Sequence, residues 1–153
     1  MTLPVFMDFI RRADHAYAVS CRPVMEEFGL SKTSFDILMF LANNPSHRTA
    51  KEISSMRNIK ANVVSVHVDR LVGDGYLSRQ SVPEDRRKIR LVCTEKANAI
   101  IRRGREAQKE FYDRLLRGLT AQDLDAFKHC FEVILSNTAG MPSDPVSAGE
   151  NGR

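Results

Sequence analysis

Residues 49–93, TAKEISSMRNIKANVVSVHVDRLVGDGYLSRQSVPEDRRKIRLVC, carry the reading on which the fold turns. Thr49-Ala50-Lys51-Glu52 has the spacing of a capping box. The Thr hydroxyl accepts the N–H three residues on, and the Glu carboxylate reaches back to the Thr N–H. A short helix is predicted here, with Ile53 and Met56 on its apolar side and Asn58 as a turn residue. A longer helix over 60–72 follows, in which Val64, Val68 and Leu71 fall at i, i+4 and i+7 and make one buried face. Gly73-Asp74-Gly75 stops it, because glycine takes the left-handed conformation that a helix C-terminus often needs. Residues 76–82 and 88–93 then read as strands: Ile89, Leu91 and Cys93 alternate with Lys88, Arg90 and Val92, the period of a half-buried strand. Pro83-Glu84-Asp85-Arg86-Arg87 is the polar tip between them. A helix pair on a short turn, followed by a basic β-hairpin, is a winged helix-turn-helix.

The flanks are helical. Val5, Phe6, Phe9, Ile10, Ala13, Ala16, Tyr17, Val24 and Phe28 recur at helical spacing over 4–28, with Pro4 suited to the first turn and Pro23 interrupting. Gly29 ends that helix and Ser31 caps the next, over 32–43, where Phe35, Leu38, Met39, Leu41 and Ala42 pack inward. After the wing, Thr94 is expected to cap a long helix through 119, with Ala97, Ile100, Ile101, Gly104, Phe111, Leu115 and Leu116 near one side. Thr120-Ala121-Gln122-Asp123 repeats the start signal. Leu124, Phe127, Phe131, Ile134 and Leu135 stripe a last helix that ends near 137. Residues 138–153, rich in Gly, Pro, Ser and Ala without periodicity, read as a disordered tail.

The fold class is therefore mainly α with a small β-hairpin wing. A winged helix-turn-helix core over 31–93 is flanked by an N-terminal dimerisation helix (1–30) and C-terminal dimerisation helices (94–137). The apolar terminal helices need a partner, and the economical one is each other plus a second copy.

The chain's 153 residues suffice for one domain and an oligomerisation arm, and its formal charge of +4 is a mild excess. Distribution matters more: residues 60–90 hold seven bases against four acids, and the surplus sits largely at the wing, which points to nucleic acid. Cys21, Cys93 and Cys130 are odd in number and lack a CxxC pair, so neither a metal site nor a disulfide framework is expected. His15, His47, His67 and His129 are scattered, and no nucleophile elbow or phosphate loop appears. No enzyme and no cofactor are expected. Without a signal peptide or an apolar run of membrane length, the expectation is a cytoplasmic protein with no membrane partner.

DRLVGDGYLSR, PEDRR and the strand ending in CTEKA resemble the winged-helix core of the MarR family of bacterial transcription regulators, over about residues 6–137. The resemblance implies a homodimer with interlocked terminal helices. Its two recognition helices would lie about one DNA turn apart on a palindromic operator in double-stranded DNA. It also implies a repressor released by a small phenolic or aromatic effector. Arg87, the second arginine of Asp-x-Arg, would enter or border the minor groove, oriented by Asp85, with Arg86 and Lys88 on phosphates. On the recognition helix, Lys60 and Asn62 suit guanine and adenine edges, Ser65 bases or phosphates, and His67 a base or phosphate. Val63 and Val66 either touch thymine methyls or extend the apolar face. Arg70 matches a backbone-contacting position, and Thr49 and Lys51 stand at a helix N-terminus that attracts phosphate. Lys60 departs from the polar or acidic cap common in relatives, which weakens that cap or shifts the helix start. His15, Tyr17, Cys21, Phe28 and Phe35 line the effector crevice or simply fill the core. Two alternatives stand beside the repressor: a redox sensor acting through Cys21, and an adaptor that has lost DNA binding.

Overall fold

The computed structural model describes residues 2–82, 85–139 and 141. The chain forms two compact units, Met1–Asp113 and Arg114–Arg153. In the first, α1 (Leu3–Glu27), α2 (Lys32–Asn43), α3 (Ala50–Arg57) and α4 (Ala61–Gly73) precede a hairpin of β1 (Leu77–Val82) and β2 (Asp85–Cys93). A single 3₁₀ turn, Glu95–Ala97, then leads into α5 (Asn98–Leu115), and the second unit holds α6 (Ala121–Ala139). No helix among the described residues is long and apolar enough to cross a membrane.

The core is built on α2. Phe35, Ile37, Leu38, Met39, Phe40 and Leu41 are all buried, so this helix is covered on nearly every side. Ser31 caps it, accepting the Ser34 N–H at 3.2 Å. Cys21 and Val24 of α1 pack on this centre with Ile53, Val64, Val68 and Leu71, and so do Leu77 and Leu91 of the wing and Ala97, Ile100 and Ile101 beyond it. Gly104 lets α5 approach: a β-carbon there would lie 2.5 Å from Met39 Sδ and 3.2 Å from Phe35 Cε2.

The capping box forms as its spacing predicts. Thr49 Oγ1 accepts the Glu52 N–H at 3.2 Å, and Glu52 Oε2 accepts the Thr49 N–H at 2.8 Å. Asn58 takes φ +50° at the turn, where Ser54 donates to the Ile59 carbonyl at 2.6 Å. Met56, expected inside, is 51% exposed. The buried arc of α3 runs through Ile53 and Ser54, and Met56 lies about 60° to the other side of Ile53 at 3.6 residues per turn.

The wing differs from expectation in two ways. β2 begins at Asp85, so Asp85, Arg86 and Arg87 belong to the strand and not to its tip; Pro83 and Glu84 lie outside the described residues. The register runs from Leu77↔Cys93 to Ser81↔Ile89 and then jumps to Val82↔Asp85, a bulge-like shift that leaves residues 86–88 without opposite partners on β1. The expected alternation holds at buried Leu91, but Ile89 is 41% exposed because the hairpin there projects past the core. The Leu91 N–H donates to the Arg48 carbonyl at 2.7 Å, tying β2 to the segment before α3.

Thr94 does not cap a long helix. Its hydroxyl donates to the Gly75 carbonyl at 2.6 Å and its N–H to the Tyr76 carbonyl at 3.0 Å, so the chain passes through the 3₁₀ turn before α5 begins at Asn98. α5 stops at Leu115, short of 119, and Gly118 at φ +90° marks the turn; Leu115 is itself 43% exposed. In the second unit Thr120 and Asp123 form the reciprocal cap, with the Asp123 N–H to Thr120 Oγ1 at 3.2 Å and the Thr120 N–H to Asp123 Oδ2 at 2.9 Å. α6 runs two residues past its expected end near 137. Of the expected tail, residues 140 and 142–153 lie outside the described residues.

Candidate nucleic-acid interface

α4 divides cleanly by burial. Val64, Val68 and Leu71 are 0–2% exposed, whereas Asn62, Ser65, Val66, Asp69 and Arg70 face outward. Of the two readings for each valine, Val66 turns to solvent at 65% exposure, and Val63 is half-buried at the edge of the apolar face. Lys60 is the N-cap residue and makes no side-chain capping bond, so this helix starts without the brace that Thr49 supplies to α3. Arg70 stands 3.9 Å from Asp74, a loose exposed pair.

Asn62 Oδ1 accepts the Val63 N–H at 2.9 Å, and Thr49 and His67 are engaged more fully within the protein. Thr49 Oγ1 both accepts from the Glu52 backbone and donates to Glu52 Oε2 at 2.8 Å. Those Thr49 bonds hold the Glu52 carboxyl below its ordinary range. His67 turns back toward α2, with Nδ1 2.9 Å from Ser34 Oγ and 3.4 Å from Ser31 Oγ. Lys51 is exposed on α3.

On the wing, Lys88 and Arg90 are exposed and Asp85 is half-buried; the Arg86 and Arg87 side chains lie outside the described residues, although their backbone is part of β2. Arg79 on β1 pairs with Asp69 on α4, a contact that bridges the wing and the helix. The two residues open and close the DRLVGDGYLSR stretch, but a separation of ten residues across a helix end and a turn is no spacing from which the pair could be read.

The five residues read as lining an effector crevice differ in burial. His15 is exposed, Phe28 is half-buried against the core, and Phe35 is buried within it. Tyr17 and Cys21 do meet. Gln108 donates to the Tyr17 hydroxyl at 2.7 Å, and Phe111 stands edge-on to the Tyr17 ring at 5.5 Å between centroids. Burial pushes the Tyr17 hydroxyl up to about 12. Burial also raises the Cys21 thiol, and the hydrogen bond with Tyr17 only opposes this. Beside them is a carboxylate not picked out from the sequence. Asp36 Oδ1 is buried without a hydrogen-bond partner among the described residues. Burial raises its carboxyl against the pull of Arg57 and Lys32, and Asp14 adds to the rise. Among the described residues no group of three His, Cys, Asp or Glu could hold a metal ion.

The comparisons with known proteins agree with this geometry. Residues 28–88, which span the core of the helix-turn-helix and most of the wing, match the MarR family model. An HTH-type transcriptional regulator of Bacillus subtilis, YwoH, is 28% identical over 126 residues, covering 82% of this chain and 90% of that one. The Bacillus subtilis transcriptional repressor YetL is 35% identical over 81 residues, about half of each chain (50% and 48%). The fold is shared with a MarR-family regulator from Listeria monocytogenes crystallised with a 26-mer DNA (TM-score 0.75, 16% identity, covering 91% of this chain and 90% of that one). Helix pair, basic hairpin and relatives lead to one conclusion: residues 28–88 carry the match to the MarR family, and the chain has the winged helix-turn-helix fold of MarR-family regulators.

Proposed function

We propose that this regulator is a homodimeric, sequence-specific DNA-binding repressor that is released by a small ligand. The observation that carries the reading is the outward face of α4, where Asn62, Ser65, Val66 and Arg70 stand exposed behind Lys60, while Lys88 and Arg90 are exposed on the adjacent wing. A helix of this polarity fits the major groove, Asn62 suits an adenine edge, and the wing's bases suit phosphates and the minor groove. Arg86 and Arg87 add charge at the same place in the sequence. That a protein of the same fold crystallises with DNA supports double-stranded DNA as the partner.

Dimerisation rests on apolar surface. Leu3, Val5, Met7, Phe9 and Ile10 on α1 are 44–72% exposed. On α6, Leu124, Phe127, Phe131, Ile134 and Leu135 are 36–52% exposed, and Phe127 stacks on Phe131 at 5.7 Å. Uncovered stripes of this size mark an association surface. A second copy would place the second recognition helix on a symmetric half-site. Effector release then requires a ligand with different affinities for two spacings of the winged domains. Cys21 is a poor redox sensor, because a buried thiol with a raised pKa holds little thiolate.

The test is a salt-dependent titration of wild type and Arg87→Ala on the DNA upstream of this protein's own gene and on scrambled DNA. One dimer should bind each palindrome, with affinity falling steeply as salt rises and a shallower salt slope for Arg87→Ala. Equal binding of both proteins to both DNAs would remove the wing and the specificity from the reading.

A further inference from the structure

Ser34 is one of two buried polar side chains among the described residues, 1% exposed within an otherwise apolar helix. Its hydroxyl sits in a three-membered relay. The Ser34 N–H donates to Ser31 Oγ at 3.2 Å, Ser31 donates its hydroxyl hydrogen to Ser34 Oγ at 3.1 Å, and Ser34 Oγ lies 2.9 Å from His67 Nδ1. No carbonyl of the described residues takes the Ser34 hydrogen, so once Ser34 has accepted from Ser31, its own hydrogen has one place to go, His67 Nδ1. An imidazole nitrogen that accepts is unprotonated, and the neutral ring then carries its hydrogen on Nε2.

We propose that Ser31 and Ser34 fix the tautomer of His67, so that the recognition helix presents a neutral Nε2–H donor to an acceptor atom on DNA. The assignment rests on the reading of α4 as the DNA-contacting helix. His67 is half-buried, its Nδ1 is engaged by α2, and no hydrogen bond to Nε2 occurs among the described residues. Its neighbours on α4, Asn62, Ser65, Val66 and Arg70, are exposed. Ser34 is thereby a positioning residue: buried 33 residues away in sequence, it sets both the orientation of the ring and which nitrogen carries the hydrogen. DNA offers matching acceptors in phosphate oxygens and in the major-groove edges of guanine, adenine and thymine. A donor fixed before binding loses less freedom on contact than one that must choose a tautomer.

Two amide substitutions separate this role from a structural one. In His67→Gln the longer side chain carries its amide nitrogen near the position of Nε2. In His67→Asn the shorter side chain leaves its amide oxygen near the position of Nδ1 and reaches no further. With DNA binding measured on operator and scrambled duplexes, His67→Gln should stay within a few-fold of wild type. His67→Asn and His67→Ala should lose roughly tenfold or more, the scale of a hydrogen bond to a charged or well-placed acceptor. Loss on both duplexes would mean a phosphate acceptor, and loss on the operator alone a base. Ring ¹⁵N spectra of the free protein should show a single Nε2–H tautomer in wild type and a mixture in Ser34→Ala. Rescue by Asn instead of Gln, or a wild-type ring protonated on Nδ1, would overturn the proposal while leaving DNA binding by α4 intact. A wild-type protein that binds no DNA would overturn the reading on which it stands, and the proposal with it.

Discussion

Asp69 on α4 and Arg79 on β1 are joined by an ion pair that links this helix to the root of the wing. Both side chains are substantially exposed, at 62% and 42%, so water screens the pair and its worth to stability is at most about 1 kcal/mol. Its electrostatic position matters more, since Asp69 neutralises a base beside the proposed DNA face. Asp69→Asn should leave the melting temperature within a few degrees of wild type, raise DNA affinity at low salt and steepen the salt slope. Filter binding at three salt concentrations checks this, and unchanged affinity would show that Arg79 does not reach the phosphates.

Gly104 is required by packing and not by backbone conformation. A methyl group there meets Met39 Sδ and Phe35 Cε2, both in the centre of the core. Gly104→Ala gains about 1 kcal/mol of helix propensity but overpacks a dense interior at a cost of about 1–3 kcal/mol. Urea unfolding should therefore find it less stable than wild type. Gly73→Ala, where nothing lies within 4 Å of the added carbon, should show no such loss.

Thr49 serves α3 before it serves DNA. Removing its hydroxyl in Thr49→Ala breaks the cap and strands the Glu52 carboxylate, at a cost of about 1 kcal/mol. Thr49→Ser keeps the oxygen and should keep the stability. If both variants bind DNA as wild type does once stability is matched, Thr49 acts through the cap alone.

Asp36 predicts a pH dependence of definite sign. Its carboxyl is raised in the folded state, mainly by burial, so the folded protein holds the proton more tightly than the unfolded chain. The Asp36 contribution is most favourable in acid, below the ordinary carboxylate pKa, and is lost as pH rises through the raised value. Asp36→Asn should therefore gain stability over wild type at pH 7, with the gain shrinking toward acid pH. Thermal melts across the pH range would show this, and a difference that widened in acid would reverse the assignment, leaving the Arg57 attraction dominant.

Cys21 and Cys130 should differ sharply in reactivity within one chain. Cys130 is exposed on α6, whereas Cys21 is 1% exposed with its thiol raised by burial. Alkylation followed by mass spectrometry should mark Cys21 only after denaturation. Labelling of native Cys21 on the time scale of a free thiol would revive the redox reading.

What the sequence by itself determined was local. The two capping boxes, the turn at Asn58 and the buried faces of α2 and α4 follow from spacings of three and four residues, which helix geometry converts directly into contacts. The charge of the wing was legible for the same reason, since Arg86, Arg87, Lys88 and Arg90 are adjacent in the chain. What the tertiary structure alone decided involves partners far apart. The sequence offers His67 only as a contact to DNA, and the packing of α4 on α2 is what brings Ser34 within 2.9 Å of it. Thr94 has the spacing of a cap, yet the Gly75 carbonyl, brought near by the hairpin, takes its hydroxyl instead. Met56 and Ile89 fit an apolar pattern and still face solvent, because a pattern states which residues are able to be buried and the reach of the core states which are. Hydrogen bonds and burial across tens of residues depend on how elements pack, and no local spacing encodes that.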